Sequence, residues 1–133
     1  MAYVLDTSFV IDLMRSDGDA VRKAKELDDR RAMKLLPAPT IYEIVAGLLF
    51  SRSKSEAAAF QRLAEGFQIA QFDEQAALKA AEIRAELLKT GRVKSHVDTM
   101  IAGIAFAAGN ILISRDGDFR AIRDVLGLQL ETY

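Results

Sequence analysis

Near the start of the chain an apolar run breaks off into an acid and two hydroxyls, Tyr3-Val4-Leu5-Asp6-Thr7-Ser8, and apolar residues then recur at helical spacing as Phe9-Val10 and Leu13-Met14. This reads as a buried strand running straight into a helix. In an α/β sheet the carboxyl end of a strand is where the backbone leaves the core and where ligands bind. The same pattern returns near the other terminus as Ile111-Leu112-Ile113-Ser114-Arg115-Asp116. If the two strands are neighbours, Asp6 and Asp116 share one edge of the sheet.

The segments between them alternate in the same way. The helix after Asp6, capped by Thr7 or Ser8, is expected to end near Gly18, and a more polar helix carries Val21, Ala24 and Leu27. Met33 to Leu36 reads as a strand, with Pro37 and Pro39 excluding helix there. Thr40 opens a helix bearing Ile44, Val45, Leu48 and Leu49, and another helix bears Phe60, Leu63 and Ala64. Phe67 to Phe72 reads as a strand, followed by a long helix capped by Asp73 with Ala76, Ala80, Ile83 and Leu87 on one face. Ser95 begins a mostly buried helix through Ala108, Asp118-Phe119 begins a last helix, and Leu128 to Leu130 reads as a final strand. Strands alternating with helices call for a three-layer α/β/α sandwich around a mainly parallel five-stranded sheet, in one domain spanning residues 1–133.

The balance of charge narrows the function. A net charge of −1 and a pI near 5.8 give no overall basic footprint, so binding nucleic acid requires local positive patches or metal ions. The absence of cysteine removes thiolate metal sites and thiol catalysis, and fits a cytoplasmic setting. No secretory leader is visible, and the longest apolar stretch, Met100 to Gly109, falls well short of the ~20 residues that span a bilayer.

Four acids are expected at the edge where strands end and helices begin: Asp6, Glu43, Asp98 and Asp116. Asp12 and Asp118 lie close by in sequence. Each has a purely structural alternative. Thr40-x-x-Glu43 and Ser95-x-x-Asp98 match the capping box, Asp6 suits a helix cap, and Asp116-Gly117-Asp118 suits a polar turn. Gathered within ~6 Å, however, four carboxylates repel by a few kcal/mol per close pair at an effective dielectric near 20. Such a group calls for a compensating cation or raised pKa values. Oxygen ligands alone point to Mg²⁺ or Mn²⁺, with the hydroxyls of Thr7, Ser8 and Ser114 as auxiliary ligands. Such an ion makes hydroxide available near neutral pH and neutralises phosphate oxygens, so phosphodiester hydrolysis is the natural chemistry.

The run Val4-Leu5-Asp6-Thr7-Ser8-Phe9-Val10-Ile11-Asp12 resembles the opening motif of PIN-domain proteins. So do Glu43 in Pro39-Thr40-Ile41-Tyr42-Glu43-Ile44, Asp98 in Val97-Asp98-Thr99-Met100-Ile101-Ala102, and Ile113-Ser114-Arg115-Asp116-Gly117-Asp118-Phe119. The size and order resemble the VapC toxins of type II toxin–antitoxin pairs. The resemblance implies a Mg²⁺- or Mn²⁺-dependent endoribonuclease, a homodimer, and inhibition by a VapB-type antitoxin in a heteromeric complex. It also implies a tetrad of Asp6, Glu43, Asp98 and Asp116, with Asp118 as a further metal ligand. Ser114 stands where the family often has Thr. A PIN nuclease with a housekeeping RNA-processing role is one alternative. A phospho-acceptor signalling domain is another, but it needs a late-strand lysine and none follows Lys94.

Arg15, Arg115 and Lys94, with Lys89 and Arg92, are candidates for binding RNA phosphates, against the plainer reading of solvated surface charge. His96 is the only histidine, and a metal-bound water needs no imidazole. Leu48, Leu49 and Phe50 exceed what one helix face requires and suit either a partner contact or the core.

Overall fold

The computed structural model describes all residues from Met1 to Tyr133. In chain order the elements are β1 (Ala2–Leu5), α1 (Thr7–Met14), α2 (Gly18–Asp29), β2 (Met33–Pro37), α3 (Ala38–Ser51), α4 (Lys54–Ala64), β3 (Gln68–Ala70), α5 (Glu74–Lys89), α6 (His96–Ala108), β4 (Ile111–Ile113), α7 (Asp118–Leu126) and β5 (Leu130–Glu131). The strands form one sheet in the order β3-β2-β1-β4-β5, and every neighbouring pair is parallel.

The two-residue period of a strand divides the core into two halves. Tyr3 and Leu5 of β1, Leu36 of β2 and Ile113 of β4 point to one face, where Phe9, Val10, Leu27 and Ile44 of α1, α2 and α3 cover them. Val4 of β1 and Leu112 of β4 point to the other, against Ile83 and Leu87 of α5, Ile101 and Ala105 of α6, and Phe119 and Ile122 of α7. Burial on both faces explains why the strands read as continuous apolar runs. The three-layer α/β/α architecture with five parallel strands is the expected one.

Helices α5 and α6 approach each other closely at Gly103. A Cβ added at Gly103 would stand 2.6 Å from the carbonyl oxygen of Ala76 and 2.7 Å from Cβ of Ala80. Only glycine lets the two backbones meet there. Asp73 caps α5 by accepting from the amide of Ala76 at 2.9 Å, and Ser95 caps α6 by accepting from that of Asp98 at 3.1 Å. No helix is long and apolar enough to cross a membrane.

Several boundaries differ from expectation for local reasons. The first helix stops at Met14, because Ser16 takes a positive φ of 57°; Gly18 begins α2 instead. Neither Thr7 nor Ser8 caps α1. Asp6 occupies that position, yet its side chain makes no capping bond. The strand over Met33 to Leu36 forms as expected, but the helix after it starts sooner. Pro37 ends β2, and Pro39 lies in the first turn of α3, where a missing N–H has no consequence. Helix α3 therefore starts at Ala38, Glu43 falls in its second turn, and the Thr40–Glu43 capping box does not form. Strands β3 and β5 are shorter than expected, at Gln68–Ala70 and Leu130–Glu131.

Candidate active site

The strand order places the two motif strands side by side. From β1 the chain winds outward through β2 to β3, then returns to the other side of β1 with β4. Connections diverge at the β1–β4 boundary, and in such sheets the crevice lies beyond the carboxyl ends of those two strands. Asp6 follows β1 directly, and Ser114 follows β4.

Asp6 is only 2% exposed. Its backbone amide extends the sheet by donating to the carbonyl of Ile113 at 3.1 Å. The Ser114 hydroxyl donates to Asp6 Oδ2 at 2.8 Å and accepts from the amide of Asp116 at 3.1 Å. Asp6 Oδ1 is buried with no partner at all. Burial pushes the Asp6 carboxyl up to about 6, and the negative charge of Asp98 adds to the effect. The Ser114 hydrogen bond, the neighbouring Thr7 backbone amide and the Lys94 charge pull the other way.

Asp98 lies in the first turn of α6 and Asp116 in the loop after β4. Lys94 joins them. Its ammonium sits 3.5 Å from Asp98 Oδ2, pairs with Asp116 Oδ2, and rests 5.1 Å from the centre of the Phe119 ring. The Lys94 side chain is 9% exposed. Asp98 thus forms only half a capping box: its amide is held by Ser95, while its carboxylate turns to Lys94. Asp116 Oδ1 accepts from the amide of Asp118 at 3.0 Å, so the polar-turn reading and the site reading hold together for this residue. Asp118 itself faces Arg92 at 3.5 Å. As they stand, no three acids of the chain are gathered at ligand spacing.

Glu43 sits on α3, behind a buried contact between helices. The Thr7 hydroxyl donates to that of Thr40 at 3.1 Å, tying the first turn of α1 to α3. Glu43, three residues beyond Thr40, is on the same face of α3. It lines a groove with Ile11, Met14, Arg15, Ile44 and Leu48. Leu48 thus belongs to the groove and core, whereas Leu49 and Phe50 are 73% and 92% exposed and take no part in the core.

The remaining candidates are arranged around the last residue. Tyr133 donates its hydroxyl to Asp12 Oδ2 at 2.6 Å, and its ring meets Phe9 edge-on at 4.8 Å. Burial, followed by the bond to Asp12, holds the Tyr133 hydroxyl well above the usual tyrosine range. Arg115 lies over the same ring at 4.5 Å and pairs with Asp17 at 3.0 Å. Ser8 and Arg15 are exposed. His96 faces away, into a depression beside Arg84 and Met100. Sequence reasoning missed Tyr133 and the pairing of Lys94 with the acids. The second had a signal, since Lys94 and Asp98 stand one helical turn apart.

Comparison with known proteins agrees with this fold. A family model described as the PIN domain matches residues 3–125. The tRNA(fMet)-specific endonuclease VapC of Salmonella typhimurium is 26% identical over 137 residues, covering 100% of this chain and 98% of the relative. Ribonuclease VapC11 of Mycobacterium tuberculosis is 27% identical, covering 98% of each chain. Among solved structures, VapBC2 from Rickettsia felis bound to a promoter DNA fragment superposes with a TM-score of 0.83 at 22% identity, over 99% of this chain and 98% of that one. Mycobacterium tuberculosis VapC20, a toxin that cleaves the sarcin-ricin loop, superposes with a TM-score of 0.65 at 20% identity, over 92% of this chain and 95% of that one.

Proposed function

The chain belongs to the PIN domain family, and from this we propose that it is a Mg²⁺- or Mn²⁺-dependent endoribonuclease of the VapC type, restrained by a VapB-type antitoxin. The observation that carries the reading is Asp6. A buried carboxylate with one oxygen held by Ser114 and the other without a partner is an unstable arrangement unless a cation completes it. The donor set fits a hard divalent ion, since only oxygen ligands stand at this edge. Both relatives are named as RNA-cleaving enzymes and match along their whole length, and the Rickettsia neighbour is a VapBC complex.

In this mechanism Asp6, Glu43, Asp98 and Asp116 form the acidic site, with Asp118 at its margin. Bound Mg²⁺ or Mn²⁺ supplies hydroxide near neutral pH and neutralises the charge of the scissile phosphate. Ser114 fixes the orientation of Asp6 through Oδ2 and leaves Oδ1 unpaired, so that Asp6 would hold the ion through that oxygen. Thr7 acts through Thr40, holding α3 and thus Glu43 in register with the strand end. Arg15 would meet a phosphate of the RNA, a reading supported by its exposure beside Glu43. Arg115 can do so only by exchanging Asp17 for a phosphate. The apolar groove of Ile11, Met14, Ile44 and Leu48 next to Glu43 suits an antitoxin segment that would block the acids. Leu49 and Phe50, exposed on the same helix, suit the homodimer contact.

The test is cleavage of a mixed RNA pool by purified protein with Mg²⁺, with Mn²⁺ and with EDTA. Cleavage by the wild-type chain that needs either ion, and is lost in Asp6→Asn and Asp116→Asn, is the expected result. Full activity in EDTA, or in either variant, would remove the assignment. Growth arrest on expression, relieved by a co-expressed antitoxin, would separate the toxin from a housekeeping nuclease.

A further inference from the structure

We propose that Lys94 is the resident cation of the acidic site: its ammonium neutralises Asp98 and Asp116 and limits the chain to a single divalent ion, held at Asp6. The inference rests on the metal-dependent reading above and makes it specific.

Lys94 is not placed as a lysine waiting for a phosphate. A surface lysine keeps its head in water, whereas this one is 9% exposed, against two carboxylates and the face of Phe119. Its backbone is anchored too, because the Lys94 carbonyl accepts from the Arg84 guanidinium at 3.3 Å, tying the loop to α5. The next residue, Ser95, caps α6. Both anchors aim the side chain at the carboxyl edge of the sheet. Desolvating an ammonium to this degree is unfavourable unless carboxylates surround it.

The acids are therefore compensated unequally. Asp98 and Asp116 already share a positive charge, while the buried Oδ1 of Asp6 has nothing. A second ion between Asp98 and Asp116 would have to displace an ammonium attached to the same backbone. A divalent ion at Asp6 would displace no cation, though the Lys94 charge acts on that carboxylate too. Even at the dielectric of water, repulsion between charges of +2 and +1 about 6 Å apart weakens binding about tenfold. Lys94 thus sets both how many ions bind and how tightly.

The experiment is a Mn²⁺ titration of the full chain, with free Mn²⁺ followed by electron paramagnetic resonance, on wild type, Lys94→Met and Lys94→Arg. Methionine keeps the contact with Phe119 and removes the charge; arginine keeps the charge. Wild type and Lys94→Arg should bind one Mn²⁺ per chain. Lys94→Met should bind two, the first at least about tenfold more tightly than wild type. In EDTA, Lys94→Met should melt below wild type, and saturating Mn²⁺ should close the gap. Should Lys94→Met not fold, Lys94→Gln, which keeps polar contact with the carboxylates without charge, is read in the same way. Equal ion counts and affinities in wild type and the neutral variant would refute the role of Lys94 alone. Absence of Mn²⁺ binding in every protein, with RNA still cleaved, would take down the metal-dependent reading and this inference together.

Discussion

Removing the charge of Asp6 should stabilise the metal-free protein while destroying its activity. A carboxyl held at about 6 against an ordinary 3.8 means that ionised Asp6 destabilises the native state by about 3 kcal/mol at pH 7.5. In Asp6→Asn the amide oxygen can keep the Ser114 hydrogen bond, while the amide nitrogen takes the position of Oδ1, which has no partner. A buried unsatisfied donor costs about 1–3 kcal/mol. The net gain is up to about 2 kcal/mol, or up to roughly 6 °C in Tm for a chain of this size. The sign with pH follows from linkage. Between pH 3.8 and about 6 the native state binds more protons at Asp6 than the unfolded state does, so wild-type stability from this group falls as pH rises through that window. The advantage of asparagine should therefore be present at pH 7.5 and gone by pH 4. Thermal melting of both proteins in EDTA across this range reads it directly, because other titrating groups cancel in the difference. Saturating Mg²⁺ should invert the order, since an ion at 100 times its Kd adds about 2.7 kcal/mol to the wild type alone. An Asn variant less stable than wild type in EDTA at pH 7.5, or a difference indifferent to pH, would refute the burial argument.

Two further substitutions probe the frame and the RNA contact. Gly103→Ala places a Cβ 2.6 Å from the Ala76 carbonyl and should destabilise by about 1–2 kcal/mol despite the better helix propensity of alanine; Gly47→Ala, with nothing within 4 Å, should stabilise by up to ~1 kcal/mol. Urea midpoints compare the pair, and equal effects at both sites would contradict the close α5–α6 contact. Arg15→Ala should reduce the slope of log affinity against log salt for single-stranded RNA by about 0.7, while Arg115→Ala, whose partner Asp17 already neutralises it, should change it less. Fluorescence anisotropy with the Asp6→Asn protein measures both, and an unchanged slope in Arg15→Ala would exclude a phosphate contact there.

What was legible in the sequence is what local pattern encodes. Apolar runs broken by Asp6 and Ser114 announce strand ends, and a strand buried on both faces has no alternation to mislead, so the sheet and its active edge follow from Tyr3-Val4-Leu5 and Ile111-Leu112-Ile113. The errors arise where a residue type permits two environments. Proline excludes the helix interior but suits its first turn, so Pro39 hid the true start of α3. Thr40 and Glu43 have the spacing of a local capping box, yet the Thr40 hydroxyl is used 33 residues away, on Thr7. Charges are the extreme case, because nothing local distinguishes a solvated lysine from a paired one. Lys23 is buried against Glu131, 108 residues distant, and Lys94 closes on Asp116 from a different loop. The fold brings these partners together only after the hydrophobic pattern has set the strand order. Which acids are left without a cation is therefore a property of tertiary structure. Of Asp6, Asp98 and Asp116, the acids at the ends of β1 and β4 and the start of α6, it is Asp6 that has no ion pair, the one whose position the sequence announced first.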